Sequence, residues 1–326
     1  MAFKILIVQE EAEKYHQLIR EKFPEQVENG EIQTVLAKDE KDYSWEDIKD
    51  INAFVTFPLI PETPDLKELK WAMTLSSGYD HWEKSGLLPE GIPLIHVPGG
   101  SAIPIAEFTM GVMLNYEKHY DEIRENQKEH KYIRIQGGEL YGKTLGIIGL
   151  GGIGRELARK AKAFDMHVIG TEIEIRDIPN VDQVYLAEDF EKVLEQSDYV
   201  VLSVPDTPKT RGMMGEEQFK KMKKTAYFIN CARGSLVQKE AMTKACKEGW
   251  IAGAHNDTHW IKYPLPSYLP EDDELWDVPN ISISPHISSW TDMYAKRFGA
   301  VMLENIERYL QGKELVSVSP LKYKKS

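Results

Sequence analysis

The chain has 326 residues, a length that suggests two domains, and its 42% hydrophobic and 28% charged residues are typical of a globular protein. The formal net charge of −12 argues against a general nucleic-acid-binding or anionic membrane surface. No hydrophobic run approaches the roughly 20 residues that span a bilayer, and the first residues do not resemble a signal peptide. The two cysteines, Cys231 and Cys246, suggest neither a disulfide framework nor a metal site, so a cytoplasmic protein with no nucleic-acid or membrane partner is expected.

The first hundred residues alternate predicted strands with helices. Strands are predicted at 4–8, 32–36, 51–57, 71–75 and 93–97, and helices at 10–22 and, as a short piece, at 66–69. This alternation predicts an α/β unit with a parallel sheet of its own. The unit has no glycine fingerprint, so it is not a second copy of the cofactor site described below.

A change of element follows at Pro98-Gly-Gly-Ser101. A hydrophobic helix is predicted at 103–116 and a densely charged one at 118–131. Because the second helix mixes acidic and basic residues, it indicates a solvated face or a subunit contact and not a nucleic-acid patch.

A glycine turn then separates a short hydrophobic strand at 145–148 from a helix that runs from about 153 to 164. Gly149, Gly151 and Gly154 form the pattern G-x-G-x-x-G. Gly149 allows a tight turn, Gly151 lets the backbone approach a diphosphate, and Gly154 lets the helix pack close to the strand. The free N–H groups of the helix would face the diphosphate. The pattern predicts a dinucleotide-binding site.

The next predicted strand, at 166–170, is followed by Glu172. An acidic residue about 20 positions beyond the glycines binds the adenosine ribose 2′-OH in such folds. The alternative is a solvated glutamate in a turn. Because a carboxylate repels a 2′-phosphate, Glu172 favours NAD over NADP, although Arg176 nearby leaves NADP possible.

The alternation continues to the end of the chain. Strands are predicted at 181–185, 199–203, 226–230, 250–254 and 281–284, helices at 187–196, 215–222 and 239–248, and one long helix at 290–311. Ligands of doubly wound sheets lie beyond the carboxyl ends of the strands. We therefore expect one site from residues that follow strands, namely Glu172, Val204, Cys231–Arg233, Asp257 and His286.

These residues stand in motifs that resemble the D-isomer-specific 2-hydroxyacid dehydrogenases, most specifically from Ile105 to Ser289. The matching motifs are Ile105-Ala-Glu107, the glycine turn with the residues before it from Leu140 to Gly154, Val204-Pro-Asp-Thr-Pro-Lys-Thr210, Asn230-Cys-Ala-Arg-Gly234 and Ser284-Pro-His-Ile-Ser-Ser289. The resemblance implies two Rossmann-like domains. An NAD-binding domain, residues 99–290, is inserted into a flavodoxin-like substrate domain, residues 1–98 and 291–326. It also implies an active site in the cleft between them and a homodimer formed through the NAD domain.

The resemblance also implies catalytic roles. Arg233 would hold the carboxylate and carbonyl of a 2-keto acid through its planar fork of donors, where an ordinary surface salt bridge is the alternative. His286 would give a proton to the developing alkoxide, where a structural histidine is the alternative.

Further roles follow from the same resemblance. Backbone N–H groups of Ser77, Gly78 and Tyr79 would bind the substrate carboxylate, and Asp257 would orient the carboxamide of the cofactor. Gly152 and Ile153 would meet the diphosphate. Cys231 would line the cofactor and not act as a nucleophile. The implied cofactor contacts are Gly149, Gly151, Gly152, Ile153, Gly154, Glu172, Val204, Pro205, Thr210, Cys231, Ala232, Arg233, Asp257 and His286.

The chain departs from the family at the glutamate that pairs with the catalytic histidine. Counting from Asp257 puts Lys262 at that place, and counting back from Pro264 puts Tyr263 there. A cation beside His286 would disfavour imidazolium, so reduction would fade at a lower pH than is usual for the family. Formate dehydrogenases of the family carry Gln there, but they also carry Asn in place of Ser101. An acid from Glu271–Glu274 replacing the glutamate is a third alternative.

The first hypothesis is an NAD(H)-dependent oxidoreductase that interconverts a small 2-keto acid, such as glyoxylate or hydroxypyruvate, and its D-2-hydroxy acid. The second is an NAD(H)-binding regulator with little turnover, because fold alone does not give function. The third is a dehydrogenase of another small acid, such as formate or phosphite.

Overall fold

The computed structural model describes residues 2–57, 66–258, 260 and 269–320. These residues form two compact units. The first unit contains residues 2–57, 66–100 and 292–320, and the second contains 101–258, 260 and 269–291. The second unit is therefore an insertion within the sequence of the first.

The first unit begins with five strands and four helices. They are β1 (Phe3–Val8), α1 (Ala12–Lys22), α2 (Pro24–Glu28), β2 (Ile32–Ala37), α3 (Trp45–Ile48), β3 (Ala53–Thr56), β4 (Trp71–Thr74), α4 (Asp80–Ser85) and β5 (Leu94–Ile95). All strand pairs are parallel, in the order β2-β1-β3-β4-β5. This is the flavodoxin-like order.

The second unit contains seven strands and six helices. They are α5 (Ala102–Lys118), α6 (Tyr120–Lys128), β6 (Thr144–Ile148), α7 (Gly152–Lys162), β7 (His167–Glu172), β8 (Gln183–Leu186), α8 (Phe190–Gln196), β9 (Tyr199–Leu202), α9 (Glu216–Lys221), β10 (Tyr227–Asn230), α10 (Lys239–Lys247), β11 (Gly253–Asn256) and β12 (Ile281–Ile283). The sheet is parallel throughout, in the order β12-β11-β10-β9-β6-β7-β8. Counted from β6, this is the Rossmann order with one added strand. The predicted α/β fold class is confirmed.

The chain ends its described part in the first unit with α11 (Tyr294–Leu310). Strand β1 is hydrophobic at consecutive positions because both of its faces are covered. Ile5 and Ile7 pack with residues of α1 and α11, whereas Leu6 and Val8 pack with a second cluster that contains Trp82 of α4. The two helices approach closely, since a Cβ on Gly299 would lie 2.5 Å from Leu18 Cδ1.

The second unit has the same two-sided burial. In β9, Tyr199 and Val201 belong to a cluster with α5 and α7, and Val200 and Leu202 belong to a cluster with α8, α9 and α10. Every residue of β9 is buried. This explains why its sequence is a continuous hydrophobic run with no period of two. Among the described helices, none has the length and hydrophobicity that crossing a bilayer requires.

Some predicted elements were wrong in detail. Residues 66–69 form a turn and not a helix, and the last helix begins at Tyr294 and not near Trp290. The strand predicted at 250–254 begins only at Gly253. The short helices α2, α3 and α4 were missed because pieces of four to six residues show too few turns for a periodic pattern.

Candidate functional site

The residues expected to follow strands lie at the carboxyl ends of the strands of the seven-stranded sheet. All its strands are parallel, so their carboxyl ends lie on the same side. Glu172 ends β7, Cys231 follows β10 and Asp257 follows β11 directly. Val204 and His286 come shortly after β9 and β12.

The first glycine is held against the end of β9. Gly149 has φ of +103°, and a Cβ there would lie 2.7 Å from Val204 Cγ1. The Ser203 hydroxyl donates to the Gly149 carbonyl at 2.6 Å, and the Gly149 amide donates to Thr171 Oγ1 at 3.0 Å. These contacts hold the turn that follows β6 against the ends of the neighbouring strands β7 and β9. Only glycine fits at the start of this turn.

The other two glycines differ from each other in their surroundings. A Cβ on Gly154 would lie 2.3 Å from the Gly149 carbonyl oxygen, so the protein itself requires glycine there. A Cβ on Gly151 would meet no protein atom within 4 Å. Gly151 is also the N-cap of α7, and it makes no side-chain cap for that helix. Open space beside an uncapped helix start fits a diphosphate at this place.

Glu172 is paired with two arginines. Its Oε2 accepts from Arg155 at 3.1 Å and from Arg176 at 2.9 Å, and its Oε1 accepts from the Ile173 amide at 3.0 Å. Partial burial raises the pKa of Glu172, but the Ile173 amide and the Arg176 and Arg155 guanidinium groups outweigh it and lower that pKa. Glu172 is therefore a carboxylate held in a fixed place at the end of β7.

Two buried asparagines support the turns after β10 and β11. Asn230 Oδ1 accepts from the Ala232 amide at 3.1 Å, and Asn230 Nδ2 donates to the Arg233 carbonyl at 3.0 Å. The same Nδ2 donates to Oδ1 of Asn256, its partner on the paired strand, at 3.1 Å. Arg233 is half-buried and leads into a 3₁₀ turn at Gly234–Leu236. The backbone that carries Arg233 is thus fixed by side chains from the sheet.

Cys231 lies in this turn but is not poised to react. Its thiol is buried, and burial together with the Asp257 charge raises its pKa. Thr109 Oγ1 contacts its sulfur at 3.8 Å. A thiol that stays protonated is a poor nucleophile.

The segment after β9 also has a defined shape. Thr210 Oγ1 donates to the Pro205 carbonyl at 2.6 Å, and the Thr207 amide donates to Thr210 Oγ1 at 2.9 Å. These bonds bring Thr210 next to Pro205. Val204, Pro205 and Thr210 are therefore parts of one loop that begins against Gly149.

Asp257 is fully buried and accepts three hydrogen bonds from the loop that carries His286. Its Oδ1 accepts from the Ser284 hydroxyl at 2.5 Å and from the Ile287 amide at 3.0 Å, and its Oδ2 accepts from the Ser288 amide at 3.1 Å. His286 itself is exposed and has φ of +57°. The loop therefore folds around the Asp257 carboxylate and leaves the imidazole at the surface of the unit.

The loop with Ser77, Gly78 and Tyr79 lies in the first unit, after β4. His96 holds this loop through two contacts. Its Nδ1 donates to the Ser77 carbonyl at 2.9 Å, and its ring packs edge-on against Tyr79 with 5.1 Å between the ring centroids. The Val97 amide donates to the Ser76 carbonyl at 3.0 Å. This loop is thus attached to the residues after β5.

Sequence reasoning missed several residues that shape the site. Arg155 contacts Glu172, Asn256 contacts Asn230, and Ser284 contacts Asp257. His255 in turn contacts Ser284. Of these four residues, only Ser284 stood in a quoted motif. Arg155 follows the third glycine directly, which was an available signal. Lys262, predicted as a catalytic residue, and Tyr263 lie outside the described residues.

The chain is similar to known proteins over most of its length. The family model of the D-isomer specific 2-hydroxyacid dehydrogenase NAD-binding domain matches residues 110–288. The chain is 35% identical over 298 residues to the D-3-phosphoglycerate dehydrogenase of Methanocaldococcus jannaschii, covering 89% of this chain but only 55% of that relative. It spans about half the length of that relative.

Two other relatives match over most of their length. A glyoxylate reductase of Thermofilum pendens is 37% identical over 268 residues, which is 78% of each chain. A crystal structure of a D-isomer specific 2-hydroxyacid dehydrogenase family protein from Aeromonas salmonicida superposes with a TM-score of 0.86. The match covers 99% of this chain and 100% of the Aeromonas protein, at 23% sequence identity. The two proteins therefore share the same fold. The chain belongs to the D-isomer specific 2-hydroxyacid dehydrogenase family, whose members are NAD(P)-dependent oxidoreductases.

Proposed function

We propose that the chain interconverts a small 2-keto acid, such as glyoxylate or hydroxypyruvate, and its D-2-hydroxy acid. The observation that carries this proposal is that Arg233, Asp257 and His286 follow the neighbouring parallel strands β10, β11 and β12. A cation for the substrate and a histidine for the proton are the two groups that keto-acid reduction requires from the protein.

Arg233 is the proposed substrate-binding residue. Its guanidinium offers donors in a plane, so that it can bind the carboxylate and the carbonyl oxygen of one 2-keto acid together. Asn230 holds the backbone of Arg233, so fewer orientations are open to the Arg233 side chain. Ser77, Gly78 and Tyr79 are proposed to donate backbone N–H groups to the substrate carboxylate.

His286 is the proposed acid in reduction and the base in oxidation. NADH, when bound, supplies the hydride for the carbonyl carbon. The carbonyl oxygen then gains charge, and the imidazolium of His286 donates a proton to it. Asp257 holds the backbone that follows His286 in the sequence by accepting from the Ile287 and Ser288 amides.

The cofactor is proposed to be NAD rather than NADP. Gly151, Gly152 and Ile153 would bind the diphosphate, and Glu172 would bind the adenosine ribose. Val204, Pro205, Thr210, Cys231 and Ala232 would line the cofactor, and Asp257 would orient the carboxamide. Because Arg155 and Arg176 stand beside Glu172, the repulsion of a 2′-phosphate by Glu172 is only partly effective.

Lys262 is proposed to stand where relatives carry a glutamate beside the catalytic histidine, with Tyr263 as the alternative at that place. A cation there disfavours the imidazolium form of His286. Changing Lys262→Glu should therefore carry keto-acid reduction to higher pH, whereas Tyr263→Phe should leave the pH profile as it is. The reverse pattern would assign the place to Tyr263.

A homodimer is proposed from the surface of the second unit. Tyr120 and Ile123 of α6 are exposed, and Tyr132 and Ile133 soon after it are exposed as well. Large hydrophobic side chains grouped on a surface are typical of a protein contact. Sedimentation of the wild type and of Ile133→Asp tests this, with a monomeric variant expected. The cytoplasmic location stays a prediction.

The test of the reaction is loss of NADH absorbance with a panel of 2-keto acids over a range of pH. We expect turnover in the wild type, and loss of turnover with retained NADH binding in Arg233→Ala and His286→Ala. Tight NADH binding without turnover of any acid would favour the regulatory alternative. NAD reduction with formate or phosphite would favour a dehydrogenase of another acid.

A further inference from the structure

A buried chain of hydrogen bonds runs from β12 to the Asp257 carboxylate. Ser282 Oγ lies 2.7 Å from Nδ1 of His255, and Nε2 of His255 lies 3.1 Å from Ser284 Oγ. Ser284 Oγ in turn lies 2.5 Å from Asp257 Oδ1. His255, Ser284 and Asp257 are all buried, so water does not compete for these bonds.

The carboxylate at the end of this chain sets the direction of the two bonds nearest to it. A carboxylate only accepts, so the Ser284 hydroxyl donates its hydrogen to Asp257. The Ser284 oxygen accepts in turn from Nε2–H of His255. In a neutral His255 the single ring hydrogen is then on Nε2, and the unprotonated Nδ1 accepts from Ser282. Burial, which lowers the pKa of His255 to about 4, supports the same state.

The chain of bonds ends on the group that holds the His286 loop. The Asp257 carboxylate accepts hydrogen bonds from residues on both sides of His286 in the sequence. The donors are the Ser284 hydroxyl before it and the Ile287 and Ser288 amides after it. His286 has a positive φ of 57°, a backbone conformation that costs free energy in an L-residue. Contacts from neighbouring residues must therefore hold it there. Its amide also donates to the Ser284 carbonyl at 3.0 Å. The orientation of Ser284 thus affects both sides of the histidine.

We propose that His255 and Ser284 are positioning residues for the acid–base group His286, acting through the Asp257 carboxylate. This inference rests on the proposed function of His286. Ser284 fixes which way the carboxylate faces, and His255 fixes the hydroxyl of Ser284. Without them Asp257 keeps its two amide donors but loses the third contact that sets its plane.

The test compares Ser284→Ala and His255→Leu, which break the chain, with Ser284→Thr, which keeps the hydroxyl. Thr243→Val is the matched control, since Thr243 also carries a buried hydroxyl in the second unit, and that hydroxyl has no partner among the described residues. We expect kcat to fall by about 10- to 100-fold in Ser284→Ala, as for a catalytic group displaced by about 1 Å. The Kd for NADH should stay within about threefold of the wild type, and Ser284→Thr should restore kcat.

A second readout is hydrogen exchange of the peptide that contains Ile287 and Ser288. Faster exchange in Ser284→Ala and His255→Leu, but not in Thr243→Val, is expected. An unchanged kcat in Ser284→Ala, or an equal loss in Thr243→Val, would overturn the positioning role. If the wild type turns over no 2-keto acid, the proposed function fails. The exchange experiment then decides alone, and unchanged exchange in Ser284→Ala overturns the inference.

Discussion

Arg155 connects the glycine turn to Glu172: its Nε donates to the Leu150 carbonyl at 2.7 Å, and its Nη2 lies 3.1 Å from Glu172 Oε2. Arg176, which follows Glu172 by four residues, donates to the same oxygen at 2.9 Å. Both arginine side chains are about half exposed, and ion pairs of this kind contribute little to stability. The two guanidinium groups are therefore able to turn toward another anion.

Glu172→Gln should move the enzyme toward NADPH. The change removes a negative charge next to the ribose 2′ position and frees two cations for a 2′-phosphate. One charge at about 4 Å is worth about 1 to 4 kcal/mol in water or at a protein surface, so the NADH-to-NADPH ratio of kcat/KM should fall about tenfold or more. Steady-state rates with both cofactors give this ratio.

Glu174→Gln is the control for that experiment, because Glu174 is an exposed carboxylate on the same loop. It should leave the cofactor ratio unchanged. An equal shift in both variants would show a general charge effect, and no shift in Glu172→Gln would remove Glu172 from cofactor selection.

Two glycines of the turn should respond to alanine in opposite ways. In Gly154→Ala the new Cβ meets the Gly149 carbonyl oxygen at 2.3 Å, so stability should fall by about 1 to 3 kcal/mol. In Gly151→Ala the Cβ meets no protein atom within 4 Å, so stability should change by less than about 1 kcal/mol. The open space beside Gly151 is where a diphosphate is expected to bind. The Kd of Gly151→Ala for NADH should therefore be about tenfold or more above that of the wild type.

Thermal unfolding without cofactor and fluorescence titration with NADH separate these effects. Each variant serves as the control for the other. Tight NADH binding by Gly151→Ala would mean that the diphosphate does not approach this glycine. A fully stable Gly154→Ala would mean that α7 is able to move away from the strand.

The sequence was most informative where burial and backbone geometry restrict the choice of residue. The strands β6, β9 and β10 are hydrophobic at every position or nearly so, and their places were predicted to within one or two residues. The glycine turn was predicted because Gly149 requires a positive φ and Gly154 a close approach. Such restrictions act within a few neighbouring residues, and a single sequence displays them.

The contacts between distant residues could not be predicted in this way. Glu172 was placed at a strand end, but its two arginine partners depend on where side chains point in three dimensions. His255 is a polar residue within a short strand, and no local pattern shows that it faces Ser282 of β12 and Ser284 just after it. A helix was predicted at 66–69, yet these residues form a turn, and Leu66 and Leu69 are buried there.

His96 should affect the substrate more than the cofactor. His96→Leu removes the donor to the Ser77 carbonyl and should loosen the loop that is proposed to bind the substrate carboxylate. One hydrogen bond of this kind is worth about 1 kcal/mol, so KM for the 2-keto acid should rise about fivefold. The Kd for NADH should stay the same. His96→Asn keeps an N–H donor near the place of Nδ1 and should recover part of the loss, and an unchanged KM in His96→Leu would contradict the role.

His255 should make the protein less stable in mild acid. Burial lowers the pKa of His255 to about 4, whereas an unfolded histidine has a pKa of about 6.5. Between these values the unfolded chain binds a proton that the folded protein does not, so stability falls as the pH falls from about 6.5 toward 4. The loss from this residue alone should be about 2 kcal/mol between pH 7.5 and pH 5.

His255→Gln does not titrate, so it isolates this contribution from that of all other groups. Urea unfolding of wild type and variant at pH 7.5 and pH 5 gives four free energies of unfolding. The wild type should lose about 2 kcal/mol more than His255→Gln over this range. Equal losses would mean that the folded and unfolded proteins bind protons at this residue alike, and hence that His255 is solvated in the folded protein. A wild type that loses less than the variant would mean that His255 is protonated in the folded protein, and its Nδ1 would then donate to Ser282 instead of accepting from it.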